Sequence, residues 1–106
     1  MNKYEEIFID NITYSLDNEK KTAGIKRCSF LNEDIQIPRS IKYNSTEYIV
    51  TTILEGAFQD SHSIKSIRFS ADSELQTIEK DAFFNSSIES IEIPSSLNEL
   101  KKGWCF

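Results

Sequence analysis

The sequence is poor in the residues that build crosslinks, metal sites and phosphate loops, with two cysteines, one histidine and three glycines among 106 residues. Cys28 and Cys105 lie near opposite ends and belong to no Cys-x-x-Cys or Cys/His cluster, so neither a zinc site nor a disulfide framework is predicted. The glycines are isolated, which excludes a glycine-rich phosphate loop. We therefore expect no metal and no cofactor.

An excess of positive charge is also missing, because 12 Lys and Arg face 17 Asp and Glu, for a formal net charge of -5. Without a basic block, nucleic acid is not an expected partner. Long apolar runs are absent as well. After an acidic opening comes only Ile7-Phe8-Ile9, too short for a signal peptide or a membrane span. We expect neither in this chain, which leaves a cytoplasmic location open.

What the sequence does contain is an internal repeat. Ile53, Ala57 and Phe58 recur 25 positions later as Ile78, Ala82 and Phe83. Beyond them the spacing falls to 24, because the polar turn after Ala82-Phe83 is one residue shorter than the turn after Ala57-Phe58. Ile64, Ile67 and Phe69 match Ile88, Ile91 and Ile93. Regular apolar positions at such a period predict stacked units, each too small to bury its own core.

The repeat extends partly in both directions. Ile35-Gln36-Ile37-Pro38 matches Ile91-Glu92-Ile93-Pro94, which predicts a strand before the first full copy. Residues 43–48 are predicted to form two short strands joined by a turn, and residues 12–26 a hairpin that caps the first unit. The predicted organisation is a β cap with a first strand at 1–47, and repeats at 48–106, divided into 48–74, 75–96 and a partial copy at 97–106.

Within one unit, alternation predicts a short strand that sends Ile91 and Ile93 into the core and Glu92 to solvent. Proline has no backbone donor, so the ladder should end at Pro94 and at Pro38. Ala82 and Phe83 suit a helical or 3₁₀ turn on the opposite wall. The expected fold is a mainly β repeat solenoid of short parallel strands and short helical or 3₁₀ turns.

The spacing from Leu75 through Ile78, Ala82-Phe83, Ile88 and Ile93-Pro94 to Leu97 resembles the BspA-like, or treponemal, class of leucine-rich repeats. The ending at residues 99–105 is similar to a variant found in surface antigens of parasitic protists. The resemblance implies a cell-surface or secreted protein that adheres to host cells or matrix proteins. An enzyme is not expected, because the sequence shows no cluster of titratable residues. Members are usually longer, so a fragment or a short relative is implied, and the family has no fixed ligand motif to transfer.

The main hypothesis is therefore a protein-binding solenoid, whose outward strand positions form part of a recognition face. That candidate face consists of Gln36, Ser66, Arg68, Ser90 and Glu92. The alternative is self-assembly between identical chains through the edge of the unfinished repeat. The candidate edge consists of Leu97, Leu100, Trp104 and Phe106.

Other chemistry is set aside. Asp60-Ser61-His62 holds the residue types of a hydrolase triad, but adjacent residues do not give triad geometry, so we predict a polar turn. The acidic residues of the second half lack the spacing of a calcium loop and predict a solvated surface. Asn11, Asn44 and Asn85 begin Asn-x-Ser/Thr triplets, which are glycan acceptors in a secreted chain, but asparagine is also an ordinary turn residue, which we favour here.

Overall fold

The computed structural model describes residues 3–28 and 33–97 in full and a strand at 99–100 by its backbone. Over these residues the chain is built of β-strands and turns, with no helix. The strands are β1 (Tyr4–Ile9), β2 (Ile12–Asp17), β3 (Thr22–Cys28), β4 (Asp34–Ile37), β5 (Ser40–Tyr43), β6 (Thr46–Ile53), β7 (Ser66–Phe69), β8 (Thr77–Ile78), β9 (Ser90–Ile91) and β10 (Glu99–Leu100).

The strands form two sheets. The larger sheet has the order β1-β2-β3-β6-β8-β10, with β5 also paired to β6, and the smaller has the order β4-β7-β9. Strands of successive repeats pair in parallel in both sheets. Ile53 faces Ile78 in one, and Ile67 faces Ile91 in the other, at the spacings of 25 and 24 that the sequence repeats. Each repeat therefore adds one strand to each sheet.

The N-terminal strands are antiparallel and do not follow the period. β2 pairs with β3 at the positions predicted for the hairpin, and β1, which the sequence analysis did not predict, pairs with β2. Asp10 and Asn11 both have positive φ, as a two-residue hairpin turn of the favoured type requires. β3 then joins the first repeat through parallel pairing with β6. The capping role of this region stays a prediction.

The predicted pair of short strands around residues 43–48 is confirmed. β5 pairs antiparallel with β6, and Asn44 and Ser45 form the turn with positive φ at both positions. Asn18, in the turn between β2 and β3, contacts this unit. The Tyr48 hydroxyl donates a hydrogen bond to Asn18 Oδ1 at 2.5 Å. Tyr48 is thus a core residue, and its hydroxyl links the N-terminal strands to the repeats.

The buried apolar residues form one core cluster, which contains the repeated apolar positions together with residues of the N-terminal strands. Phe58 and Phe83 are fully buried, and their rings stack with centroids 5.3 Å apart. The same core cluster contains isoleucines of both sheets, Ile35, Ile37, Ile53, Ile67 and Ile78, and two that precede strands of the smaller sheet, Ile64 and Ile88. The prediction that these isoleucines and the Ala-Phe pairs hold successive units together is confirmed.

The prediction of a helical or 3₁₀ turn at Ala82-Phe83 was wrong, because the backbone there forms neither kind of helix. Residues 55–60 and 80–85 form turns whose 3.1–3.3 Å hydrogen bonds, such as Ala82 to Glu79 and Phe84 to Asp81, span three residues but skip alternate positions. A 3₁₀ helix needs consecutive bonds of this kind. Each turn also contains two left-handed residues, Gly56 and Asp60 in the first and Asp81 and Asn85 in the second, and a right-handed 3₁₀ helix does not contain such residues.

The strand around Ile93 is shorter than predicted. β4 ends at Ile37, directly before Pro38, as expected, whereas β9 ends at Ile91. Ile93 is 43% exposed, so the prediction that it enters the core was wrong. The reason is that alternation of side chains holds only while the backbone stays extended, and pairing with β7 stops after the Glu92 N–H donates to Ile67 O.

Among the residues described, none forms a helix long and apolar enough to cross a membrane.

Candidate protein-binding face

The outward side of the β4-β7-β9 sheet brings the five residues of the candidate binding face together. Parallel pairing aligns Gln36 with Arg68, and Ser66 with Ser90. Glu92 follows Ile91, the partner of Ile67, and so continues the row of Gln36 and Arg68. Because side chains alternate along a strand, Gln36, Ser66, Arg68 and Ser90 lie on the side opposite the buried isoleucines, and Glu92, one residue beyond β9, is exposed. The use of these five residues as a binding face stays a prediction.

The face carries charges of both signs. Arg68 and Glu92 are exposed, and neither forms an ion pair with another described residue. Asp34, which the sequence analysis did not include, lies in the row of Ser66 and accepts a hydrogen bond from the Ser66 hydroxyl. The sequence could have indicated that Asp34 belongs to the face. Outward positions of a strand are two residues apart, and Asp34 is two residues before Gln36.

Two neighbouring surface pockets, called hollows below, both include Gln36 in their lining. The first, of about 430 Å³, lies between β4 and the N-terminal strands and is lined by Ile9, Asp10, Ile12, Tyr14, Gln36, Pro38, Ser40, Ile41 and Lys42. The second, of about 450 Å³, is lined by Gln36, Pro38, Arg39, Ser40, Glu47, Ser70 and Asp72. Three lining residues are common to both hollows. They extend the candidate surface beyond the flat strand layer, which repeat spacing alone does not reveal.

Electrostatics differ between the two hollows. In the first, burial raises the pKa of Tyr14 to about 12, with a smaller contribution from the negative charge of Asp10. In the second, Arg39 forms ion pairs with both Glu47 and Glu74, so its charge is already balanced. The described part of the chain has no group of three or more His, Cys, Asp or Glu residues placed to hold a metal ion.

The residues of the rejected hydrolase triad lie at the end of a turn and directly after it, outside the strands of the candidate face. His62 Nδ1 lies 3.1 Å from Ser87 Oγ, and Asn85 Nδ2 donates to Asp60 Oδ1 at 2.6 Å. Both contacts join positions 25 apart. These polar side chains link successive turns, in agreement with the predicted polar turn.

The three asparagines of the Asn-x-Ser/Thr triplets share one conformation. Asn11, Asn44 and Asn85 all have positive φ and lie in exposed turns. Asparagine is among the few residues that tolerate this region, so the turn conformation accounts for its use at these positions.

The candidate self-association edge is described only in part. Leu97 is partly buried against the core, and the backbone of Leu100 pairs with Ile78 in β10. Trp104 and Phe106 lie outside the described residues, as does Cys105. No contact of the described residues favours self-assembly through this edge.

Comparison with known proteins agrees with this architecture. Residues 25–106 match the family described as the BspA type leucine rich repeat region. The chain is thus a leucine-rich repeat domain, and it belongs to the BspA-type family. Members are often surface or secreted proteins, are typically non-enzymatic, and generally serve as protein-interaction modules.

Solved structures of leucine-rich repeat proteins share the fold. A leucine-rich repeat protein from Bacteroides ovatus is 31% identical, with a TM-score of 0.72 over 86% of this chain and 24% of its own. A leucine rich cell surface protein from Faecalibacterium prausnitzii is 17% identical, with a TM-score of 0.75 over 92% of this chain and 26% of its own. This chain therefore spans about a quarter of their length. No curated protein matches it.

A third leucine-rich repeat protein, from Bacteroides capillosus, is similar over nearly its whole length. It is 21% identical, with a TM-score of 0.58 over 92% of this chain and 93% of its own. At this identity the similarity supports the fold.

Proposed function

We propose that this chain is a protein-binding module of a solenoid surface protein, and that it takes part in adhesion to host cells or matrix proteins. The observation that carries the proposal is the aligned row of Gln36, Arg68 and Glu92 on the outward side of the β4-β7-β9 sheet. Exposed strand layers are the surfaces through which repeat proteins characteristically bind partners.

The mixed character of the face favours a protein ligand. Arg68 offers a planar donor group without an ion-pair partner among the described residues, and Glu92 offers an acceptor beside it. Arginine is enriched among the residues that dominate binding energy in protein interfaces. The hollows next to Gln36 add partly apolar surface into which a ligand side chain fits.

Adhesion further requires that the chain be at the cell surface or secreted. The family's usual location supports this, as does the name of the Faecalibacterium protein, a leucine rich cell surface protein. The proposal includes the protist surface-antigen type, and the resemblance of residues 99–105 to protist proteins is the observation that supports it. Labelling intact and permeabilised cells with an antibody to the chain tests location. Staining that appears only after permeabilisation would contradict it.

The binding function is tested with the purified chain immobilised on a sensor surface. A panel of purified extracellular matrix proteins and fixed host cells serves as the probe, and an unrelated acidic protein of similar size serves as the reference surface. We expect saturable binding of at least one probe above the reference. Signals that do not saturate, or that match the reference for every probe, would reject an adhesive role.

A further inference from the structure

The free edge of β1 presents main-chain groups that have no strand partner among the described residues. The Asn18 N–H donates to Lys3 O at 2.7 Å, so Lys3 and Asn18 form a hydrogen-bonded pair of the β1-β2 ladder. In an antiparallel ladder such pairs alternate with pairs that make no mutual bonds. The N–H and C=O groups of Tyr4, Glu6 and Phe8 therefore point away from β2, along the outer edge.

The same three residues carry an unusual set of side chains for an exposed edge. Tyr4 is 59% exposed and Phe8 is 61% exposed. They are two of the four large apolar side chains that are exposed among the described residues. Between them, Glu6 forms an ion pair with Lys26 of β3, so its charge is already balanced. Edges of this kind, long and carrying apolar side chains, tend to pair with another strand.

The edge is complementary to itself. If β1 pairs antiparallel with β1 of a second copy and Glu6 lies on the two-fold axis, every free main-chain group meets a partner group. In that register Tyr4 faces Phe8 of the second copy, and Phe8 faces Tyr4. Aromatic pairs facing each other across strands are stabilising, and the repulsion expected between two facing glutamates is reduced because Lys26 neutralises each one.

We propose that two copies of this chain associate through β1, forming a symmetric dimer in which the larger sheet continues from one copy into the other. The surface is distinct from the edge at Leu97 and Leu100, which lies at the other end of the same sheet. Such a dimer presents two binding faces on one particle, which raises avidity for a ligand with repeated sites.

The first test is the molar mass of the whole 106-residue chain by sedimentation, from micromolar to millimolar concentration. We expect a monomer-dimer equilibrium. The double substitution Tyr4→Thr/Phe8→Thr should weaken dimerisation about tenfold or more, because both facing aromatic pairs are lost. Phe84→Thr is the matched control, since Phe84 is 52% exposed but lies in a turn of the repeats, and it should leave dimerisation unchanged.

Two results would overturn the proposal. One is a wild-type chain that stays monomeric across the whole range. The other is a dimer that both variants retain equally. Circular dichroism confirms that each variant is folded, and the exposure of all three side chains makes misfolding an unexpected result.

A second test examines the register. Glu6→Cys, made together with Cys28→Ser and Cys105→Ser, places one thiol on the two-fold axis. Facing residues of a hydrogen-bonded antiparallel pair have Cα atoms about 5.5 Å apart, within disulfide range. Mild oxidation should therefore link two copies, whereas Phe84→Cys in the same background should not. Equal linking of both variants, or no linking of either, would contradict the β1 register.

Discussion

The ring of Phe58 stacks on the ring of Phe83 at a centroid distance of 5.3 Å, with the ring planes inclined by 20°. Both residues follow the alanine of their repeat, and both are fully buried. Next to the rings, the Phe58 N–H donates to Ala82 O at 2.7 Å. One repeat is therefore joined to the next by ring contact and by the backbone at the same position.

Removal of one ring should destabilise the fold strongly. Phe83→Ala leaves a cavity beside Phe58, and we expect a loss of about 3–5 kcal/mol in the free energy of unfolding, measured with urea. Phe84→Ala, at the next and exposed position, should cost about 0.5 kcal/mol or less. A loss for Phe83→Ala no larger than that of its neighbour would show that the stack contributes little.

The left-handed positions of the turns predict opposite effects for two substitutions. Gly56 has a φ of 71°, and a Cβ added there would meet only the flexible end of Gln59, so the cost of Gly56→Ala arises from backbone conformation. We expect a destabilisation of about 1–2 kcal/mol. At Asp81, with a φ of 57°, glycine relieves the same strain, so Asp81→Gly should be neutral or stabilising. Thermal unfolding of both variants provides the comparison, and equal destabilisation would contradict this explanation.

The hydrogen bond between Tyr48 and Asn18 should hold the N-terminal strands to the first repeat. Tyr48→Phe keeps the buried ring but removes the donor to Asn18 Oδ1, and we expect a loss of about 1 kcal/mol. Hydrogen exchange should also become faster in the turn between β2 and β3. Tyr43→Phe is the control, because Tyr43 is partly buried and its hydroxyl has no hydrogen-bond partner among the described residues. If the two variants behave alike, the bond does not couple these regions.

The raised pKa of Tyr14 predicts a loss of stability in alkali. The phenol has a pKa of about 12 in the folded chain, above its ordinary value of 10.0, because burial disfavours the phenolate. The unfolded chain therefore releases this proton first. Its contribution is fully present below about pH 10 and declines as the pH rises toward about 12.

Unfolding experiments on wild type and Tyr14→Phe between pH 8 and roughly pH 12 isolate this effect. The free energy of unfolding should fall more steeply with pH for the wild type, because only that chain has the buried phenol. Parallel pH profiles for the two proteins would show that Tyr14 does not titrate as its burial predicts.

The sequence predicted the repeats well because their stacking depends on side-chain volume at fixed intervals. Ile53 and Ile78 recur at 25 positions and pair in adjacent strands. Proline at position 38 fixed the end of β4, since a residue without an N–H does not continue the ladder. The outward face followed from the same alternation, which placed Arg68 opposite Gln36.

The errors arose where conformation depends on backbone dihedral angles. Gly56 and Asp81 occupy equivalent left-handed positions although their side chains differ, so the turn geometry was not visible in the repeat. β1 was not predicted, because Glu5 and Glu6 near its start were interpreted as part of an acidic chain terminus. The hollows beside Gln36 form between strands that are distant in sequence, and spacing within a repeat does not reveal them.

In the proposed function, the outward side of the β4-β7-β9 sheet binds protein. The most direct measurement is the affinity of charge-reversed variants for the probe that binds the wild-type chain most tightly. Arg68→Glu and Glu92→Lys alter the face, and Lys80→Glu and Glu55→Lys make matched changes at exposed turn positions. We predict that the first pair weakens binding about tenfold or more and that the second leaves it nearly unchanged. Equal affinities for all four variants would contradict the claim.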